Sequence, residues 1–164
     1  MHQNFISYFE SPIGTIEIIT DENAVLSVLF LDDPVKKEEN TNPVIEICRQ
    51  QLTEYFSENR REFDIPLQFS GTDFQNKVWT LLQTIVYGKT VSYLQMAKFL
   101  GDVKVIRAAA SANGKNPFAI IVPCHRVVGS NQDLVGYAGG LWRKRWLLEH
   151  EQRIANGVKN LFDK

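Results

Sequence analysis

The run Pro123-Cys124-His125-Arg126-Val127 follows directly on the apolar stretch Phe118-Ala119-Ile120-Ile121-Val122. It sets one thiol between a rigid proline and two side chains able to carry positive charge. The thiolate is the nucleophilic form of cysteine. A free thiol with a pKa of about 8.5 is only slightly ionised at neutral pH, and neighbouring cations lower that value. Each unit of lowering corresponds to about 1.4 kcal/mol of preference for the anion. Cys124 is therefore the candidate nucleophile, and its thiol is expected to titrate low. The chain has one other cysteine, Cys48, and the two make no disulfide framework. The three histidines, His2, His125 and His150, show no metal-ligand spacing, so neither a metal nor another cofactor is expected.

Such a nucleophile needs a scaffold and a substrate. The 164 residues suit one large domain or two small ones. Hydrophobic residues make up 44% and charged residues 23%, as in an ordinary globular protein. No apolar run approaches the roughly 20 residues that span a bilayer. Met1-His2-Gln3-Asn4 lacks the basic and apolar regions of a signal peptide, so a cytoplasmic location is the expectation. The net charge of −1 hides an asymmetry: residues 1–85 carry 6 Lys/Arg against 14 Asp/Glu, and residues 86–164 carry 12 against 5. The basic half points to a polyanionic partner such as nucleic acid. The plainer alternative is two faces of opposite sign that help the halves dock.

The elements that must position Cys124 divide the same way. Phe5 to Phe9, Thr15 to Thr20 and Val25 to Leu31 are strand candidates separated by turn signals at Ser11-Pro12-Ile13-Gly14 and Asp21-Glu22-Asn23, which predicts a β-meander. A polar loop over residues 32–42, with Pro34, leads to a helix opened by Pro43. Its apolar positions are Val44, Ile47, Leu52, Tyr55 and Phe56, and Cys48 beside them is expected to be a buried structural thiol. Ile65 to Phe69 reads as an edge strand or a linker. Beyond it the chain looks helical. Thr72-Asp73-Phe74-Gln75 has the form of a capping box for a helix ending near Ile85. Ser92 caps a helix from Tyr93 to Leu100. Asp102 caps a third, from Val103 to Ala112, which stops at Asn113-Gly114. The last two helices, joined by a glycine-containing turn, resemble a helix-turn-helix. The expected domains are 1–70 and 71–164.

The third helix is almost bare: Ala108, Ala109, Ala110, Ser111, Ala112. A helix with its side chains is about 10–12 Å across, whereas the minor groove of B-DNA is only about 6 Å wide. Small side chains allow a helix to approach that groove, although alanines also simply favour helix and close packing. Arg107, at the head of the run, is placed to enter a base stack; its plain alternative is a surface ion pair.

At this point the residues carry a resemblance. Ile121-Val122-Pro123-Cys124-His125-Arg126-Val127-Val128, Tyr93 in Val91-Ser92-Tyr93, Arg107, Gly114-Lys115-Asn116-Pro117, Gly136-Tyr137-Ala138-Gly139-Gly140 and Trp146-Leu147-Leu148-Glu149-His150-Glu151 fall where the motifs of the O6-alkylguanine-DNA alkyltransferases fall. The resemblance covers most of the chain and is strongest from Phe74 to Glu151. It implies an α+β fold: a small N-terminal β-sheet with a helix, ribonuclease-H-like, and a helical, winged-helix-like C-terminal domain carrying the active cysteine. It further implies that Cys124 is the alkyl acceptor, that His125 is its base through a bridging water, and that Glu151 orients His125. Glu149 is the competing candidate for that last role. Asn116 would brace the helix-turn-helix against the active-site segment. Arg107 would fill the gap left by a flipped guanine, and Ala108, Ser111 and Ala112 would face the DNA. Tyr93 would act at the adjoining phosphate and help protonate the leaving guanine. Val127, Tyr137, Ala138 and Gly139 would wall the base pocket. Ala138 stands where some members have serine, which removes one hydrogen bond to the lesion. Members with a zinc site use additional N-terminal cysteines that this chain lacks.

The implied partner is double-stranded DNA bearing O6-alkylguanine, bound from the minor groove by a monomer, with no membrane involved. The implied reaction is irreversible transfer of the alkyl group to Cys124, one per protein molecule, and O4-alkylthymine is a further possible substrate. A cysteine hydrolase remains the rival reading of a reactive Cys beside His. A lesion-binding or regulatory DNA protein without transfer activity is the third.

Overall fold

In the computed structural model, which describes residues 3–33 and 36–157, the β-branched runs form three strands: β1 (Phe5–Ser11), β2 (Gly14–Thr20) and β3 (Val25–Leu31). They pair antiparallel in the order β1-β2-β3, the expected meander. At the first turn Ser11 opposes Gly14, whose φ of +116° is open to a residue without a Cβ. Strand alternation turns Ile16 and Ile18 to one face, where both are fully buried. Met1, His2 and Pro34 lie outside the described residues, as do residues 158–164 of the expected second domain.

Helix α1 (Pro43–Phe56) packs on this sheet. Asn42 caps it, accepting the Ile45 N–H at 2.8 Å, and Pro43 takes the first turn, where its missing N–H costs nothing. The inward stripe is Ile45, Cys48, Leu52 and Tyr55, all fully buried. Ile47, expected on that face, is 41% exposed, because Ile45 and Cys48 rather than Ile47 continue the helical ladder through Leu52 and Tyr55. Burial pushes the Cys48 thiol up to about 12, so it is inert packing.

The outer edge of β3 is closed by two short strips. Val25 donates to Pro66 O (2.8 Å) and accepts from Gln68 N (3.0 Å), which makes Ile65–Phe69 a brief edge pairing. Val28 likewise donates to Pro117 O and accepts from Ala119 N, each at 2.8 Å. The strip Pro117–Ile121 therefore belongs with the first compact unit, although it sits far along the chain. Ile120 within it has φ +71°, a strained conformation for a β-branched residue, in a tight turn closed by Ile121 N to Ala119 O.

The second unit begins at Gly71 and resumes at Val122. Helix α2 (Asp73–Leu82) opens with the expected capping box, Thr72 and Gln75 bonding reciprocally. Strand β4 (Val91–Ser92) runs parallel to β5 (Val127–Val128), so the stretch just after Cys124 is hydrogen-bonded to the stretch just before α3 (Tyr93–Phe99). Ser92 and Gln95 form a second capping box at α3. The third expected helix starts as a 3-10 turn, Val103–Val105, because Asp102 accepts the Lys104 N–H and tightens it. Helix α4 proper is Ile106–Gly114. The final helix, α5 (Leu141–Ala155), has Arg143, Lys144, Leu147, Leu148, His150, Glu151 and Ile154 as its buried residues.

One glycine holds α5 close. Gly88 has φ +81°, and a Cβ there would sit 2.4 Å from the Ala155 Cβ. Gly88→Ala is expected to lower stability by about 1–3 kcal/mol, from left-handed strain and steric overlap. The urea midpoint of the variant against the parent checks this, and equal midpoints would disprove the tight approach.

Candidate active site

Pro123 does more than precede the thiol. Its φ/ψ of −81°/63° is an inverse γ-turn, closed by Cys124 N–H to Val122 O at 2.8 Å. Cys124–Arg126 then form a single 3-10 turn. Successive side chains of such a turn diverge by about 120°, so the three adjacent residues leave the backbone in different directions. All are buried, at 7%, 0% and 6% exposure for Cys124, His125 and Arg126.

His125 and Arg126 converge again on Glu151 of α5. His125 Nε2 lies 2.7 Å from Glu151 Oε2. Arg126 grips the same carboxylate in a fork, Nε to Oε1 at 2.7 Å and Nη2 to Oε2 at 3.1 Å, and its Nη1 donates to Ile85 O at 2.6 Å. Glu151 is 1% exposed, whereas Glu149 faces solvent and is not His125's partner. Burial opposes ionisation of Glu151, but the His125 and Arg126 contacts outweigh it and hold the carboxyl well below the usual range. Burial lowers His125, leaving a neutral ring that donates through Nε2. Nδ1 then carries the lone pair, and it is enclosed with no hydrogen-bond partner among the described residues.

The Cys124 thiol is not depressed as its neighbours suggest. Burial pushes it up, and the pull of an Asn116 hydrogen bond, the Lys144 ammonium and its own backbone only partly offsets this. The reason is directional: Arg126 is spent on Glu151 and His125 is neutral, so neither presents a charge to sulfur. The cation that does is Lys144 on α5, itself lowered to about 8 by burial. Lys144 Nζ donates to Val135 O (2.8 Å) and Gly136 O (3.1 Å) and sits 5.9 Å from the Tyr93 ring centroid.

The other expected residues distribute as follows. Asn116 Nδ2 donates to Val122 O at 2.8 Å, two residues before Cys124. Val127 is fully buried in β5. Tyr93 OH donates to Val135 O at 3.3 Å and accepts from Asn113 Nδ2 at 3.4 Å; burial raises it, so it keeps its proton. Tyr137 is half-buried with its hydroxyl enclosed, Ala138 is exposed, and Gly139 O accepts from Arg143 Nη1 at 2.9 Å. On α4, Arg107, Ala108 and Ser111 are exposed. Ala112 is not: it is 3% exposed, and its carbonyl accepts from Trp79 Nε1 at 2.9 Å. Helical periodicity puts Ala109 and Ala112 together on the face packed against α2. Among the described residues of the C-terminal half, the basic side chains of Arg126, Arg143 and Lys144 are buried and unavailable to a polyanion. Lys89, Lys98, Lys104, Arg107, Lys115, Arg145 and Arg153 are exposed.

Three side chains have roles that the sequence pattern hid. Arg126 was visible only as a cation beside the thiol. Lys144 sits inside the basic run Arg143-Lys144-Arg145, and its burial follows from the α5 stripe. Asn113 read as a helix stop, yet its side chain bonds the Cys124 carbonyl at 3.3 Å. Among the described residues no His/Cys/Asp/Glu group is arranged to hold a metal ion, and no helix is long and apolar enough to cross a membrane.

Two outcomes follow from these electrostatics. His125 and Glu151 both bind protons less readily folded than unfolded, where their values are about 6.5 and about 4.3. Each contribution is complete above the unfolded value and is lost as pH falls from there to the lower folded value, His125 first and Glu151 only below about 4.3. Denaturation midpoints should therefore decline from about pH 6.5 downward and go on declining on the acid side of about pH 4. Glu151→Gln leaves Arg126 buried without its counter-charge, so a loss of about 3–5 kcal/mol is expected with a flatter acid limb; an unchanged acid limb would show that the pair is not coupled to folding. In the DNA-free protein, alkylation of Cys124 by iodoacetamide should accelerate only above the ordinary thiol range, and a reactive thiolate at pH 6 would contradict the burial.

Comparison with known proteins bears on all of this. Residues 4–69 match the family model described as 6-O-methylguanine DNA methyltransferase, ribonuclease-like domain, and residues 73–153 match the model for the same family's DNA binding domain. A methylated-DNA–protein-cysteine methyltransferase of Methanosarcina acetivorans is 44% identical, covering 90% of this chain and 97% of its own. A constitutive methyltransferase of the same name from Bacillus subtilis is 38% identical, over 93% and 97%. Among solved structures, the Mycobacterium tuberculosis O6-methylguanine methyltransferase superposes with a TM-score of 0.81 at 39% identity, covering 92% of this chain and 93% of that one. A structure of the M. tuberculosis protein in complex with DNA gives a TM-score of 0.81 at 40% identity, over 90% and 92%.

Proposed function

Because this chain belongs to the 6-O-methylguanine DNA methyltransferase family, we propose that it repairs DNA by direct reversal, moving the alkyl group of O6-alkylguanine onto Cys124 and ending its own activity in doing so. The observation that carries the reading is the buried His125–Glu151 pair beside Cys124, with His125 Nδ1 enclosed and without a partner among the described residues.

That arrangement supports a defined proton path. Neutral His125 takes the thiol proton at Nδ1 through a bridging water. Glu151, ionised and forked to Arg126, stabilises the imidazolium that results. The sulfur anion attacks the alkyl carbon, the carbon–O6 bond breaks, and its electron pair passes to the guanine ring. The proton lost from sulfur is returned to guanine, so the products are unmodified guanine and a cysteine thioether. Tyr93, held in its protonated form, turns its one O–H from the Val135 carbonyl and donates it to the departing base. A thioether has no carbonyl for water to attack, so no turnover follows, which separates this chemistry from that of a cysteine hydrolase. The buried, undepressed thiol also fits the role, since sulfur becomes strongly nucleophilic only with its relay engaged.

The target atom lies inside the base stack, so the nucleotide must be flipped, at a cost of a few kcal/mol. The exposed face of α4, with Arg107, Ala108 and Ser111, enters the minor groove of duplex DNA. Arg107 fills the vacated stack, and exposed lysines such as Lys98, Lys104 and Lys115 hold phosphates without reading sequence. Asn116 steadies the active-site segment. Tyr137, Ala138, Gly139 and Val127 bound the base pocket. The protein works as a monomer and without a cofactor.

Intact-protein mass spectrometry after mixing with O6-methylguanine duplex should show one added methyl per molecule, mapped to the Cys124 peptide. Cys124→Ser should abolish it while retaining DNA binding; repeated turnover with no adduct would end the proposal. Arg107→Ala should slow repair of duplex lesions by about tenfold or more while sparing reaction with the free alkylated base, if loss of the flipping aid costs about 1.4 kcal/mol or more. Equal loss on both substrates would remove Arg107 from the flipping step.

A further inference from the structure

Leu141, Trp142 and Arg145 come from one side of the first turns of α5, three and four residues apart. With Asp133, Leu134 and Val135 of the preceding loop they line an open groove of about 780 Å³. Its apolar wall stands in solvent: Trp142 is 57% exposed, Leu141 47% and Val135 44%. The indole ring is nonetheless held. A Cβ at Gly140 would lie 3.3 Å from the ring's Cδ1 and Nε1, and the Arg143 guanidinium sits 4.5 Å from a ring centroid. Arg143 is itself buried and donates to Gly139 O, so it backs the ring from inside. An aromatic platform fixed on one face and open on the other, within a contiguous exposed apolar patch, marks a surface that meets a partner.

Charge limits what that partner is. A helix start is partially positive and favours acids, yet α5 opens with Leu141-Trp142-Arg143-Lys144-Arg145 and has no acid in its first turn. Lys144 is spent on the Val135 and Gly136 carbonyls. Arg145 is exposed and makes no hydrogen bond or ion pair among the described residues, Asp133 included. The groove therefore sets a flat apolar face beside an unengaged guanidinium, which suits an anion that carries a planar ring. A nucleotide is that combination, whereas an acidic peptide brings the charge without the plane. The groove also falls within residues 73–153, those matched by the DNA binding domain model, and it shares no residue with the outward face of α4. Bases in a duplex are stacked on one another, so a ring at the protein surface reaches only unpaired ones. We propose that the head of α5 is a second nucleic-acid site, which takes single-stranded nucleotides with a base stacked on Trp142 and a phosphate at Arg145. It uses none of the alkyl-transfer machinery.

The probe is a fluorescent eight-nucleotide oligothymidylate without a lesion, its affinity read by anisotropy. Trp142→Leu should weaken binding about tenfold, the scale of one lost base–aromatic stack, and Trp142→Phe, which keeps a ring, should recover most of it. Arg145→Gln should reduce the steepness of log affinity against log salt by about 0.7, one phosphate contact on a single strand. The parent saturated with lesion-free duplex should still hold the oligothymidylate. All three variants should keep the parent's urea midpoint and its methyl transfer from an O6-methylguanine duplex. No binding by the parent, full affinity in Trp142→Leu, equal weakness in the Phe and Leu variants, or an unchanged salt slope in Arg145→Gln would each overturn the proposal. So would complete displacement by the duplex, or transfer lost in step with oligothymidylate binding. A polyglutamate peptide that competes equally well would assign the groove to acidic peptides instead, and overturn it too. A parent that accepts no methyl group yet binds the oligothymidylate through Trp142 would bring down the alkyl-transfer reading and leave this one standing.

Discussion

A carboxylate with 1% of its surface exposed cannot stay ionised alone, and the arrangement of the second unit follows from how Glu151 is satisfied. The charge is met by a forked guanidinium from Arg126, and the remaining lone-pair direction by His125 Nε2. Both donors come from one 3-10 turn, so neutralising the carboxylate fixes that turn against α5. Cys124 heads the same turn. The position of the sulfur is thus set by an ion pair in which it takes no part. The fork also decides which ring nitrogen of His125 is free, because the other is committed to Glu151.

The same economy separates two faces of α4. Ala109 and Ala112 are inward, where small side chains let α2 approach, with Trp79 bonding the Ala112 carbonyl. Arg107, Ala108 and Ser111 are outward. At the end of the helix, the Asn113 and Asn116 amides reach the carbonyls of Cys124 and Val122. A helix with one exposed side is thereby tied by one hydrogen bond to the Cys124 backbone, and a second, from just past its end, reaches the backbone two residues earlier. The chain between Asn116 and Val122 leaves to join the first unit, and the Asn116 bond closes the ends of that excursion.

Burial and reactivity oppose each other at Cys124. Desolvation disfavours the thiolate more than one partly neutralised lysine and one amide favour it. A resting thiol that resists ionisation is protected from indiscriminate alkylating agents. For a protein that acts once, that protection preserves the single equivalent it carries.

Much was legible in the order of residues. The β-meander, the Pro43 start of α1, the Thr72 capping box, the Ser92 cap and the phrase around Cys124 are local signals, because turns, caps and strand alternation depend on residues a few positions apart. Cys48 as inert packing was equally plain. The tertiary structure alone decided the rest. It chose Glu151 over Glu149 because only one of the two positions lies on the buried stripe of α5. It turned Ala112 inward, directed Arg126 to a carboxylate instead of the thiol, and raised Cys124 where charge counting lowers it. It gave Asn113 a bond to the Cys124 carbonyl, where the sequence shows only a helix stop. A side chain's type is written in the chain, but which charges it faces, and how much water it loses, depend on residues brought together from afar.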